Sequence, residues 1–194
     1  MKKIGSKDLI TIGIFTTLFL AGMFIVSALQ VTPMLSMAMP AMCALISGPI
    51  YLLFVARTKK MFCITILGFL VSLVAGLFVF GNVYIFLFNF IIFIIAEVIA
   101  YIGKYKNFKI NYISYIFLSL WIFGEVGSYW VASDWMRAKS IAAGVDLEFV
   151  EQTFLLATPK MLCISVIITI ICAALSGLLS KHLFKKHFKR VGMI

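Results

Sequence analysis

The stretch VYIFLFNFIIFIIAEVIAYI, Val83–Ile102, carries one acid, one amide and two tyrosines among otherwise apolar residues. As a helix rising about 1.5 Å per residue it reaches about 30 Å, the depth of a bilayer's hydrocarbon core. Backbone groups in lipid must find their partners within the segment, which makes such a run a helix. Gly81-Asn82 breaks the chain before it, and Lys104, Lys106 and Lys109 follow it. The same punctuation recurs in both directions. Apolar runs cover about 9–29, 35–56, 61–80, 83–102, 112–132 and 161–179, and Arg57-Thr58-Lys59-Lys60 closes the second. The expected fold is all-α and integral to a membrane: one six-helix domain over residues 1–194, with a basic cytoplasmic tail at 180–194.

Composition supports that class. Of the 194 residues 63% are hydrophobic and 12% charged, and the mean hydropathy is +1.13. A soluble domain is about 45–50% apolar and about 25% charged, and a globule of this size has too little interior for the excess. Disorder, collagen-like repeats and a disulfide scaffold are excluded on the same ground. The first run, about 21 residues long, exceeds the usual 7–15 of a signal core and is expected to be retained as a helix. The four cysteines, Cys43, Cys63, Cys163 and Cys172, lie in or beside apolar runs without a CxxC pair. They read as small buried hydrophobes.

The net charge of +10 follows from topology. With six crossings, one side receives Lys2, Lys3 and Lys7, then Arg57, Lys59 and Lys60, then Lys104, Lys106 and Lys109, then Lys181, Lys185, Lys186, Lys189 and Arg190, all but three of the 17 Lys and Arg. By the positive-inside rule that side is cytoplasmic, with both termini on it. Nucleic acid is not an expected partner. The tail is expected on the anionic inner leaflet, and its His182 and His187 are too badly spaced on a helix for a metal site.

No phosphate-loop, GxSxG, HExxH or histidine cluster occurs, so neither enzyme activity nor a cofactor or metal is expected. Two acids lie within spans, where charge is costly and tends to face an interior. Glu125 sits among Trp121, Gly124, Gly127, Ser128, Tyr129 and Trp130, a mixture of aromatic walls and small residues that fits a ligand pocket and fits an interfacial aromatic belt as well. Glu97 near the inner end of the fourth run reads as the partner of a cytoplasmic lysine. Asn89 suits a pocket or interhelical packing equally. Met34, Met37, Met39 and Met42, between and after Pro33 and Pro40, form a polarisable outer surface able to cover a ligand. The outer loop 133–158 alternates apolar and charged residues at helical spacing around Gly144, which predicts two short amphipathic helices. These could roof a cavity or rest on headgroups. Candidate ligand contacts are Glu125, Trp121, Asn89, Tyr129, Met37 and Lys160, with Arg137 and Lys160 near the mouth.

Two stripes of small residues share a spacing of four: Gly13, Thr17 and Ala21 in the first run, and Gly68, Ser72 and Gly76 in the third. Such stripes admit a neighbouring helix closely. That neighbour is usually in the same chain, though a peripheral first helix could meet a partner protein.

Lys7-Asp8-Leu9-Ile10-Thr11-Ile12-Gly13-Ile14-Phe15-Thr16, the outer segment Ala143 to Pro159 and the tail His182 to Gly192 together resemble the MptD, or Trep_Strep, family of substrate-binding (S) components of energy-coupling factor (ECF) transporters. The resemblance spans essentially the whole chain. It implies a multi-pass protein of the bacterial cell membrane that binds a micronutrient from outside, a vitamin-like or planar hydrophobic compound. Its implied partners are a membrane coupling protein and two ATPase subunits. The family's alanine docking stripe falls on Gly13, Thr17 and Ala21, where Thr17 departs from the alanine form. The alternative is a stand-alone six-helix secondary transporter or channel, which usually needs coupling carboxylates or broken helices at mid-membrane.

Overall fold

The computed structural model describes residues 4–185. Residues 186–194 of the expected tail, with His187, lie outside them. Every regular element among the described residues is helical. The helices are α1 Ser6–Ala28, α2 Pro33–Thr58, α3 Cys63–Ser72, α4 Val83–Ile102, α5 Phe108–Leu118, α6 Phe123–Val126, α7 Ser128–Val131, α8 Ser133–Ala142, α9 Leu147–Leu156 and α10 Pro159–Leu183. Of these, α1, α2, α4 and α10 are long and apolar enough to cross a membrane. The last runs past the expected boundary at 179 into the start of the basic tail.

The third and fifth apolar runs are not uniform α-helices. After Ser72 the third continues as a π-helical turn, Leu73–Val79. There the missing side chain of Gly76 lets the α4 backbone in: a Cβ on Gly76 would lie 2.5 Å from the Phe86 nitrogen. The fifth run changes to a 3₁₀ turn over Ser119–Ile122 and then to the short pieces α6 and α7. Gly124 and Gly127 weaken helical preference here. A Cβ on Gly127 would meet the Phe123 carbonyl oxygen at 2.2 Å. The expected amphipathic pair in the outer loop is α8 and α9, separated at Gly144 with φ +77°.

Central to the bundle is α2, which packs along α10 and α1 and touches α5, α6 and α9. Thr32 caps it by accepting from the Leu35 amide at 3.3 Å, with Pro33 at the first turn. Two further prolines, Pro40 and Pro49, lie inside the helix. Proline has no N–H, so Pro49 leaves the Leu45 carbonyl without its usual helical donor. Ser176 of α10 replaces it, its hydroxyl donating to Leu45 O at 2.7 Å. This crossing is close because α2 presents glycine to α10: a Cβ on Gly48 would lie 2.2 Å from Ser176 Oγ, while Gly177 of α10 makes room for the Tyr112 ring of α5, 2.3 Å from where its Cβ would be. Ser176→Ala should therefore lower stability by about 1 kcal/mol, read as a lower thermal midpoint in detergent. An unchanged midpoint would mean that the Leu45 carbonyl gains nothing from the bond.

At the end carrying Arg57–Lys60 and Lys104–Lys109, Glu97 is buried and accepts from the Ile64 amide at 2.9 Å, the Thr65 amide at 3.0 Å and the Tyr105 hydroxyl. It is thus a cap for the first turn of α3, supplied by α4, where negative charge meets the positive end of the helix dipole. The partners differ from the lysine expected: the α3 amides and the Tyr105 hydroxyl take the carboxylate. Asp8 instead takes the lysine, with Lys60 Nζ at 2.5 Å. Deeper in the bundle Tyr51 donates to Ser114 Oγ at 2.5 Å, and Ser114 donates to the Ala96 carbonyl at 2.6 Å. All four cysteines are free; Cys43 and Cys63 are buried as expected, whereas Cys163 faces outward.

Candidate functional site

At the opposite end from the basic loops, α8 and α9 lie over the ends of α1 and α2. Beneath them is a cavity of about 540 Å³, a volume in the usual range for small-molecule sites. Its polar wall comes from Ser27 in the last turn of α1, Gln30 after it, Ser36 on α2, and Ser140 and Thr153 on the roof. Val145, Phe149, Val150 and Tyr129 supply the apolar wall. The one charged lining residue, Asp146, is already engaged as the α9 cap, accepting from the Phe149 amide at 3.2 Å.

Side chains hold the roof in place at three points. Arg137 of α8 donates to Glu151 of α9, and its guanidinium lies 4.5 Å from the centre of the Phe154 ring. Phe154 meets Tyr129 edge to face at 5.2 Å, which ties α9 to α7. Lys139 reaches across to the turn after the π-helical segment, donating to Val79 O at 3.0 Å and to Phe80 O, with its ammonium 5.2 Å from the Phe80 ring centre. Partial burial holds the Lys139 ammonium below its ordinary pKa. The carbonyls at this turn are available because the π-helix ends there without a following turn.

The candidate contacts read from the sequence divide into three groups. Tyr129 lines the cavity. Glu125, Trp121 and Asn89 come together deeper in the bundle. Asn89 Oδ1 occupies the space where a Cβ on Gly124 would be, 2.0 Å away, and Glu125 is the next residue in the chain. Trp121, one turn before Glu125, packs against Phe93 at 6.0 Å and Phe19 at 6.5 Å. Cys43 of α2 shares a small void with Trp121. Cys43 is seven residues along α2 from Ser36, which places Trp121 about 10 Å below the cavity wall, with Glu125 one turn before the wall residue Tyr129. Glu125 and Asn89 are fully buried, and neither carboxylate oxygen of Glu125 nor either amide atom of Asn89 has a hydrogen-bond partner among the described residues. Groups of this kind are normally satisfied. The third group lies off the cavity. Met37 is buried, with its carbonyl taking the Ser165 hydroxyl at 2.9 Å, and Lys160 is exposed at the start of α10.

Sequence reasoning missed Ser27, Ser140 and Thr153. Isolated hydroxyl residues carry no signal until the folding of the roof brings them to one space.

A model of the family described as a hypothetical bacterial integral membrane protein, Trep_Strep, matches residues 6–190. The chain belongs to the Trep_Strep family. No curated protein and no solved structure matches it significantly. This Trep_Strep chain is accordingly a multi-pass protein of a bacterial membrane.

The two small-residue stripes of the Trep_Strep chain meet different fates. Gly68, Ser72 and Gly76 are covered by α4, and a Cβ on Gly68 would fall 2.2 Å from Phe93 Cβ. Gly13, Thr17 and Ala21 are all exposed, and a Cβ on Gly13 would meet nothing within 4 Å. Thr17 returns its hydroxyl to the Gly13 carbonyl at 3.1 Å, so its polarity is spent inside the helix.

Proposed function

We propose that this chain is the substrate-binding component of an ECF-type importer. It crosses the membrane six times, through α1, α2, the segment 63–79, α4, the segment 108–131 and α10, with both ends of the array cytoplasmic. A small organic micronutrient enters the outer cavity between the ends of α1 and α2 and the roof of α8 and α9. The exposed stripe Gly13, Thr17 and Ala21 docks on a membrane coupling protein, and two ATPase subunits supply the energy. The observation that carries this reading is the roofed cavity of about 540 Å³ at the end away from the basic loops. Its mixed lining of hydroxyls, one amide and aliphatic or aromatic side chains suits a partly apolar compound with hydroxyl or carbonyl groups, vitamin-like in size.

Native mass spectrometry of the protein purified from its own membrane, with the coupling proteins captured alongside, tests both halves of the proposal. A small molecule should be retained by the wild type. Tyr129→Ala should weaken its binding at least about tenfold, since Tyr129 forms one wall of the cavity and steadies Phe154 of the roof. Retention of the compound at undiminished affinity in that variant would remove the cavity from the account.

Glu125 supports a second reading, a stand-alone transporter, because a buried carboxylate without a hydrogen-bond partner among the described residues suits ion coupling. Uptake by this chain alone in liposomes, driven by a proton gradient without ATP and lost in Glu125→Gln, would establish that reading in place of the first.

A further inference from the structure

The end opposite the cavity holds a second recess, of about 570 Å³, lined by Gly103, Lys104, Lys106, Asn107, Phe108, Lys109 and Lys181. Local backbone geometry gathers these lysines. After α4 stops at Gly103, Lys104 and Tyr105 both adopt the left-handed conformation, φ 48° and 59°, which turns the chain back sharply. Asn107 then caps α5, accepting from the Lys109 amide at 2.9 Å, and Asn111 anchors the turn by donating to the Tyr105 carbonyl at 3.2 Å. Lys181 arrives from α10 with its ammonium 5.5 Å from the centre of the Phe108 ring.

Among the described residues no acid pairs with these lysines. The protein has seven acids. Asp8 is paired with Lys60, and Glu97 is spent on the α3 amides and the Tyr105 hydroxyl. Glu125 is buried near Asn89, and Asp134, Asp146, Glu148 and Glu151 belong to the roof at the other end. Residues 1–3 and 186–194 add Lys2, Lys3, Lys186, Lys189 and Arg190 and no Asp or Glu. Four ammonium groups beside the N-terminus of α5 therefore favour an anion with several oxygens.

The surroundings say what the anion is attached to. Beside the recess, Tyr101 and Ile102, which precede its Gly103, and Leu178, about one turn from Lys181 on α10, are exposed, Ile102 by 70%. A free phosphate or nucleotide has no use for such a flank, whereas a phospholipid places acyl chains along it. We propose that this recess is a binding site for the phosphate headgroup of an anionic phospholipid, with Lys104, Lys106, Lys109 and Lys181 as its cationic wall. Basic pockets beside membrane helices recognise such headgroups. The site is separate from the outer cavity and does not depend on what that cavity binds.

The test uses the full-length protein in detergent with phosphatidylglycerol, cardiolipin or phosphatidylcholine added, the bound lipid being counted by native mass spectrometry. Wild type should prefer the anionic lipids by about tenfold. The variant with Lys104, Lys106, Lys109 and Lys181 all changed to Gln should lose that preference while keeping the wild-type thermal midpoint. A variant with Lys185, Lys186, Lys189 and Arg190 changed to Gln, equal in charge lost, should retain it. Loss of preference in the tail variant alone would overturn the assignment to the recess. Displacement of the lipid by inorganic phosphate at equal concentration would overturn the lipid in favour of a free anion. Absence of any preference in the wild type would overturn both.

Discussion

On the proposed importer role, Gly13→Leu combined with Ala21→Leu should cut ATP-driven uptake about a hundredfold and abolish capture of the coupling proteins, while ligand binding and thermal midpoint stay at wild-type values. The stripe is a flat strip of glycine, threonine and alanine along the outward face of α1, between larger side chains such as Ile14 and Leu18, which are also exposed. In lipid there is no hydrophobic gain in joining two apolar helices, so association rests on close packing of backbones. Two leucines hold a partner helix away by more than an ångström, and dispersion contacts fall off steeply over such a gap. The same substitutions meet open space among the described residues, because Ala21 is exposed and a Cβ on Gly13 has nothing within 4 Å. Uptake is measured in liposomes carrying the complete assembly, and binding on the isolated chain. Wild-type uptake by the double variant would show that this face meets only lipid.

Gly68→Leu should prevent folding or lower stability by about 3 kcal/mol or more. The spacing of the α3 stripe is that of the α1 stripe, yet a first added carbon at Gly68 would overlap Phe93, at 2.2 Å from its Cβ and 2.3 Å from the first ring carbon. Phe93 cannot swing aside freely, since it is fully buried and packed against Phe19 and Trp121. Nor can α3 slide away, because Glu97 of α4 holds the Ile64 and Thr65 amides at its first turn. Yield and thermal midpoint in detergent report the result, with Gly13→Leu as the matched substitution that leaves both unchanged. Equal stability of the two variants would mean that α3 and α4 are not packed as described.

Much of the architecture was legible in the sequence, element by element. Val83–Ile102 is α4 to the residue, and the alternation within 133–158 is the pair α8 and α9. The candidate site was legible only in pieces. Tyr129 stands on the cavity wall, whereas Glu125, Trp121 and Asn89 form a separate cluster below it, and Met37 and Lys160 point elsewhere. The 112–132 run has the composition of one helix, but it passes through a 3₁₀ turn into short α pieces where Gly124 and Gly127 weaken helical preference.

The division has a physical origin. Transfer of a segment into lipid depends on its own side chains and its own backbone bonds, so the amino-acid sequence alone determined that this chain is helical and enters a membrane. Which of two equivalent stripes is covered, which carbonyl Ser176 satisfies and which hydroxyls border the cavity are properties of pairs of segments far apart in the chain. Those were decided by the fit of one helix surface against another, and only the tertiary structure holds that information.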